Sequence, residues 1–457
     1  MDETAIEIAT AVRAGERTAT EVLEECLAAL AAGNERLNAF VHLDEGLARA
    51  TAEAVDARVA AGEDPGPFAG VPIGVKDLED CAGMPTSHGS LVYKGRGPVP
   101  ADSVHVARLR AAGAVPIGKT AAPEFGTLNF TKTPAWGVTR NPWDLSRTPG
   151  GSSGGTAAAV AAGLIPCGTA SDGGGSTRIP AAFTGLVGMK PSHGRIPHPG
   201  PSGSQTAVYG LLTTTVADSA RHLDVASGPH DADRLSLPAP TVGYERAIEE
   251  LDVVGLRARW SLDLGFVEEV DPEVARLAEA AARGLAAAAG LQLDDEPVHL
   301  TDPVRAWLSS GAMDLWFDLE EDMWPGVAED VTRYVRGVLE QTEGFPVSKY
   351  ARAVRRREQL TLDAAALFAE VDVLLTPATA VPAFAAEGPP PGGAMATPYT
   401  MLANLCWNPS ISVPAGLTSG GLPVGLQITA RRHHDELPLR LARIWEQQSP
   451  WPRHAPH

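Results

Sequence analysis

The chain has 457 residues, 44% of them apolar, and 37 Lys and Arg stand against 56 Asp and Glu for a formal net charge of −19. That length and apolar content allow a large core, and the acidic balance repels a phosphate backbone, which excludes nonspecific nucleic-acid binding. No uninterrupted apolar run of about 18 residues occurs, so no membrane-spanning helix is expected. The start MDETAIEIAT has no basic region leading into an apolar one, so the expectation is a cytoplasmic protein without a secretory leader.

In chain order, the first 60 residues are rich in Ala, Glu and Leu. Leu23, Cys26, Leu27 and Leu30 share one face of an amphipathic helix. A Pro/Gly break at Pro65 to Pro67 precedes a short apolar run, Gly70 to Val75, which reads as a buried strand. Val104 to Ala112 reads as helix, Val115 to Ile117 as strand and Thr156 to Ala162 as an Ala-rich helix. Residues 252–262 are strand-like, 272–291 form a long helix and 302–370 are mostly helical. Strand signals return at Val373 to Leu375, Ser410 to Val413 and Val424 to Ile428, and a helix follows at Leu437 to Gln447. This alternation predicts an α/β fold with a mixed central sheet flanked by helices.

Gly228 to Pro240 and Ala385 to Ala396 read as loops, and no composition shift divides the chain. The expectation is one domain: an N-terminal helical segment (1–62), a core (68–225), a variable, largely helical region (240–370) and a C-terminal part of the core (371–457). Cys26, Cys81, Cys167 and Cys406 are far apart and form no C-x-x-C pair, so they read as reduced, buried thiols. The basic run Arg352, Arg355, Arg356 and Arg357 adjoins Glu358 and reads as a solvated helix face. The adjacent His433 and His434 have no metal-ligand spacing, and no metal or cofactor is expected.

The most informative stretch is TPGGSSGGTAAAVAAGLIPCGTASDGGGSTRIP, Thr148 to Pro180. Two glycine-rich serine clusters stand 24 residues apart, Ser152 to Ser176. Glycine lets backbone N–H groups approach a ligand closely. Gly173, Gly174, Gly175 and Ser176 can form a concave nest of donors that holds an oxyanion. The same composition also suits a plain flexible loop. A serine nucleophile needs a base. None of the 12 histidines is an obvious partner, and His193, the nearest downstream, reads as a loop or core residue. Lysine is the other kind of base, provided burial lowers its pKa from about 10.4. Lys76 ends the apolar strand of GVPIGVKD, where a lysine is either functional or paired. A salt bridge to Asp77 or Asp80 would account for it equally.

GVPIGVKD, TPGGSSGG and SDGGGSTRIPAAFTGLVGMKPSHGR together resemble the motifs of the amidase signature family. GAVPIGKTAAPEFG, NPWDLSRTPGG, DVLLTPAT, SISVPAG and GLPVGLQI extend the resemblance over nearly the whole chain, in order. The resemblance implies an amidohydrolase with a serine–serine–lysine triad and no cofactor. Carried onto this sequence, Lys76 is the base, Ser152 the bridging serine after a cis peptide bond, and Ser176 the nucleophile that becomes acylated. The backbone N–H groups of Gly173 to Ser176 form the oxyanion hole, and Asp172 and Arg178 brace the loop. The positive end of the Ala-rich helix after Ser152 would help to keep Lys76 neutral. Gly173, Thr177 and His193 depart from the residues common at these places, without touching the triad.

Two other motifs match literally. GAVPIGKT fits the P-loop pattern, but that loop needs a strand before it and a helix after it, and here a helix-like segment precedes and Pro123 follows. GSSGG fits a nucleophile elbow at Ser153, yet the preceding NPWDLSRTPG reads as irregular loop rather than strand. Trp307, Trp316, Trp324 and Trp407 are candidates to line an acyl pocket, Trp316 and Trp407 foremost, although core packing explains tryptophans as well. The expected partner is a small-molecule amide. A homodimer is compatible with the family. The alternatives are a glutaminase-type subunit of an amidotransferase and a catalytically silent binding protein on the same fold.

Overall fold

The computed structural model describes residues 1–200 and 205–456. Its strands in chain order are β1 (Phe40–Leu43), β2 (Pro72–Lys76), β3 (Val115–Thr120), β4 (Lys132–Thr133), β5 (Gly137–Val138), β6 (Cys167–Asp172) and β7 (Val187–Lys190). They continue with β8 (Val208–Thr213), β9 (Arg257–Trp260), β10 (Gln292–Asp294), β11 (Val373–Pro377), β12 (Ser410–Leu417) and β13 (Pro423–Ala430). Eleven of them form one mixed sheet in the order β1-β3-β2-β6-β8-β7-β12-β13-β11-β9-β10, and β4 pairs with β5 alone. The fold is therefore α/β with a mixed central sheet between helices, as the alternation of elements predicts.

Every residue of β2, β3, β11 and β13 is buried. Helices cover both faces, so these strands read as apolar runs rather than alternating ones. One apolar cluster joins the helices Ala5–Arg13, Ala19–Leu37 and Gly154–Ala161 to β2 and β3. A second packs Val216–Ala226, Pro272–Ala289 and Glu436–Gln448 on β7, β11, β12 and β13. The two N-terminal helices start in capping boxes, Thr4 with Glu7 and Thr18 with Glu21. No described helix is long and apolar enough to cross a membrane.

The parallel strands at the centre position the site. β2 runs parallel to both β3 and β6, with Lys76 opposite Thr120 and Gly74 opposite Gly168. Lys76 and Asp172, the last residues of β2 and β6, thus emerge at the same edge, where open α/β sheets hold ligands. The region 302–370 resolves into Val304–Asp318, Arg333–Thr342 and Val347–Glu370. The P-loop match is a strand: Lys119 lies inside β3, and its buried Nζ donates to Glu79 O and, at 3.0 Å, to Thr86 Oγ1.

Candidate active site

Lys76 is fully buried, and its backbone N–H donates to Thr169 Oγ1 at 2.9 Å. Its Nζ lies 2.7 Å from Ser152 Oγ and 2.9 Å from Ser171 Oγ, with Ser171 O at 3.3 Å. The salt-bridge alternative does not arise. Lys76 makes no ion pair among the described residues, and Asp77 accepts from Ser87 N at 2.9 Å, Gly89 N at 3.2 Å and the Ser87 hydroxyl. Burial lowers the Lys76 pKa to about 7, against the opposing pull of Asp172 and Glu79. Ser152 follows a cis peptide bond from Gly151. A Cβ at position 151 would stand 2.6 Å from Leu128 O and Phe130 N, so only glycine fits there.

The glycine loop is held from below by one carboxylate. Asp172 accepts from Gly175 N at 2.6 Å, Thr177 N at 3.2 Å, Arg178 Nε at 3.0 Å and Nη2 at 2.9 Å, and Asn404 Nδ2 at 2.9 Å. Burial alone would raise its pKa. The Arg178 guanidinium, with Lys190 and Asn404, outweighs this and holds the carboxyl well below the usual range. Arg178, also fully buried, reaches Gln427 Oε1 at 2.9 Å and Asn404 Oδ1 at 2.6 Å. Trp307 Nε1 donates to Gly173 O at 3.0 Å, and Thr400 Oγ1 to Gly174 O at 2.6 Å, which fixes the tilt of those peptides.

At Gly175 the structure differs from the expected row of four donors. Its N–H is taken by Asp172, and Gly173, Gly174 and Ser176, but not Gly175, line the neighbouring cavity. The φ of +128° at Gly175 and the crowding by Thr400 explain why glycine is needed there all the same.

That cavity has a volume of about 910 Å³ and is bordered by Ser152, Ser171, Gly173, Gly174 and Ser176. Its apolar wall includes Phe125, Trp307, Met313 and Trp316. A second hollow of about 570 Å³, around Glu250 and Arg440, holds none of the serines. Trp316 thus stands where an acyl pocket is expected, and Trp407 does not. The Trp407 ring stacks on His193 with centroids 4.6 Å apart, and its Nε1 donates to Gln205 O at 2.8 Å. Trp324 packs edge-on against Trp316 rather than on the cavity. Ser153 is buried, with its Oγ 3.3 Å from Ser171 O, and no strand leads into it as an elbow requires.

Sequence reasoning missed Ser171, Asn404 and Gln427. Ser171 had a signal, since it adjoins Asp172 at the end of an apolar run. Asn404 and Gln427 had none, because they reach Asp172 and Arg178 from 232 and 249 positions away.

The amidase family profile matches residues 21–439. An acylamidase of Rhodococcus erythropolis is 35% identical, over 98% of this chain and 95% of that protein. A glutamyl-tRNA(Gln) amidotransferase subunit of Chloroflexus aggregans is 35% identical, over 97% and 95%. Among solved structures, a bacterial aryl acylamidase of the amidase signature family superposes with a TM-score of 0.91 at 28% identity, covering 98% of this chain and 97% of that one. A 6-aminohexanoate cyclic dimer hydrolase follows at 0.89 and 30%, with the same coverage. The chain belongs to the amidase family. It is an enzyme of the class that hydrolyses amide bonds.

Proposed function

We propose that Ser176 is the nucleophile of this amidohydrolase, with Ser152 as proton relay and Lys76 as base. The observation that carries the reading is the 2.7 Å contact of a buried lysine amine with Ser152 Oγ, beside a cavity that Ser152 and Ser176 both line. In this reading Ser176 Oγ attacks the amide carbon, and its proton passes through Ser152 to neutral Lys76. The oxyanion rests on N–H groups of the loop from Gly173 to Ser176. The proton returns through Ser152 to the leaving nitrogen, the C–N bond breaks, and water releases the carboxylate from the acyl-Ser176. Losing one oxyanion donor typically costs about 3 kcal/mol of transition-state stabilisation, so a correctly shaped loop is a large part of the rate.

The substrate is a small-molecule amide in this reading, because the cavity wall is largely apolar and the glycine loop opens into it. Labelling the isolated chain with a fluorophosphonate and mapping the adduct tests the assignment. The adduct is expected on Ser176 and absent in Lys76→Ala, with amide turnover by the lone chain. An adduct on Ser153 would move the nucleophile. Turnover only in the presence of a second protein would favour an ammonia-generating role within an amidotransferase.

A further inference from the structure

The helix Val304–Asp318 lines the cavity along most of its length and carries two carboxylates one turn apart, Asp314 and Asp318, both on the cavity wall. Trp307, in the first turn of that helix, is tied to Gly173 O. A rise of about 1.5 Å per residue puts Asp314 roughly 10 Å and Asp318 roughly 16 Å along the axis from this anchor.

Asp318 is the more telling of the two. Its neighbours Leu315 and Leu319 belong to an apolar cluster with Tyr93 and Phe125. Tyr93 Oη donates to the Asp318 backbone carbonyl at 2.7 Å, but the Asp318 carboxylate makes no ion pair and no hydrogen bond with any described residue. Burial, then the charge of Asp314, pushes its pKa up to about 7. A carboxylate held in apolar surroundings without a cation is costly, and a cation arriving from the cavity removes that cost. Among the described residues no cation pairs with Asp318. Lys349 holds its Nζ 5.3 Å from the Phe345 ring. Arg357, which faces Asp314, is engaged with Leu405 O at 3.0 Å and lies over Trp407. His88 and His198 are both held toward the neutral form, by burial first.

We propose that this wall is a subsite for a cationic amine, so that the enzyme takes amides whose far end carries an ammonium, with Asp318 receiving it. The proposal rests on the amide-hydrolase reading for the orientation of the substrate, with its carbonyl at Ser176 and its amine toward the far end of the helix, roughly 10 to 16 Å along the axis from Trp307, which is tied to the glycine loop. That span suits a long ω-amino acyl chain or a short peptide with a free N-terminus, about three to four extended residues.

The test compares the 4-nitroanilides of ω-aminodecanoic and decanoic acid at pH 8, where Asp318 is mostly ionised. The amino substrate is expected to have the higher kcat/KM by about tenfold or more. In Asp318→Asn the ratio of the two values falls to within about twofold of one, and in Asp318→Glu much of the preference persists. Equal kcat/KM values for the two substrates in wild type, or an Asp318→Asn variant that keeps the wild-type ratio, would overturn the proposal. Calorimetry with decylammonium and decanol separates the two readings. Preferential binding of the ammonium that Asp318→Asn loses, without turnover of either anilide, upholds the subsite and counts against the proposed Ser176 mechanism. No preference for the ammonium over the alcohol overturns the subsite whatever the turnover.

Discussion

The amine of Lys76 and the hydroxyl of Ser152 stand 2.7 Å apart in a place from which bulk water is excluded. With burial lowering Lys76 to about 7, the amine is neutral above that pH and protonated below it. The kcat/KM for a neutral amide is therefore expected to rise about tenfold per pH unit below 7 and to level off above it. A profile that keeps rising to pH 9 or 10 would mean that burial does not lower the Lys76 amine to about 7.

The same shift carries a stability consequence with a defined sign. Between about pH 7 and 10.5 the folded chain holds fewer protons on Lys76 than the unfolded chain does. Stability from this group thus grows with rising pH across that window. In urea titrations from pH 7 to 9, the stability of Lys76→Met relative to wild type is expected to fall steadily as pH rises. Lys190, also lowered to about 7 chiefly by burial, acts in the same sense but is present in both proteins and cancels.

Ser171 Oγ is the second hydroxyl on the Lys76 amine, at 2.9 Å. Removing it in Ser171→Ala takes away one hydrogen bond of about 1 kcal/mol, roughly fivefold in rate. The loss is expected in kcat with KM nearly unchanged, because Ser171 steers the amine rather than the substrate. Ser176→Ala, by contrast, is expected to lose at least ~10³-fold in kcat.

Asp172 and Arg178 are both fully buried and joined at two points. Arg178→Met leaves an uncompensated carboxylate inside the protein and is expected to cost about 3–5 kcal/mol in chemical denaturation. A loss below about 1 kcal/mol would mean that Lys190 and Asn404 suffice to hold Asp172.

A Cβ on Gly174 would strike the Trp307 indole. Gly174→Ala is expected to lower kcat by about 10²-fold, in the range of a lost oxyanion donor. Adding Trp307→Leu to that variant should recover part of the loss, since it clears the obstructing ring. Failure of the second change to restore any activity would place the defect in the backbone itself.

The candidate serines and lysine were legible because they stand in local patterns, and the resemblance to the amidase signature family supplied their roles. Lys76 ends an apolar run, and Ser152 and Ser176 stand in glycine clusters whose spacing is read directly from the chain. The α/β alternation was legible for the same reason, in long periodic segments such as Pro272–Ala289. β6 was harder: CGTASD has little strand propensity, and it forms a strand because β2 and β8 flank it. The hydrogen bond that removes Gly175 from the donor row was out of reach, since a glycine's N–H has no sequence mark for its partner. Trp407 shows the limit from the other side. A large aromatic residue is equally at home on a cavity or against His193, and only the packing decides.

The brace beneath the glycine loop has a consequence for how the enzyme comes into being. Asn404 and Gln427 hold Asp172 and Arg178 from 232 and 249 positions further along the chain. A ribosome that has finished every serine and the lysine of the site has therefore not yet made the residues that set its shape. The emerging polypeptide carries its full chemical complement through more than half of its synthesis without the scaffold that would arm it. The brace beneath the loop is thus completed only late in synthesis.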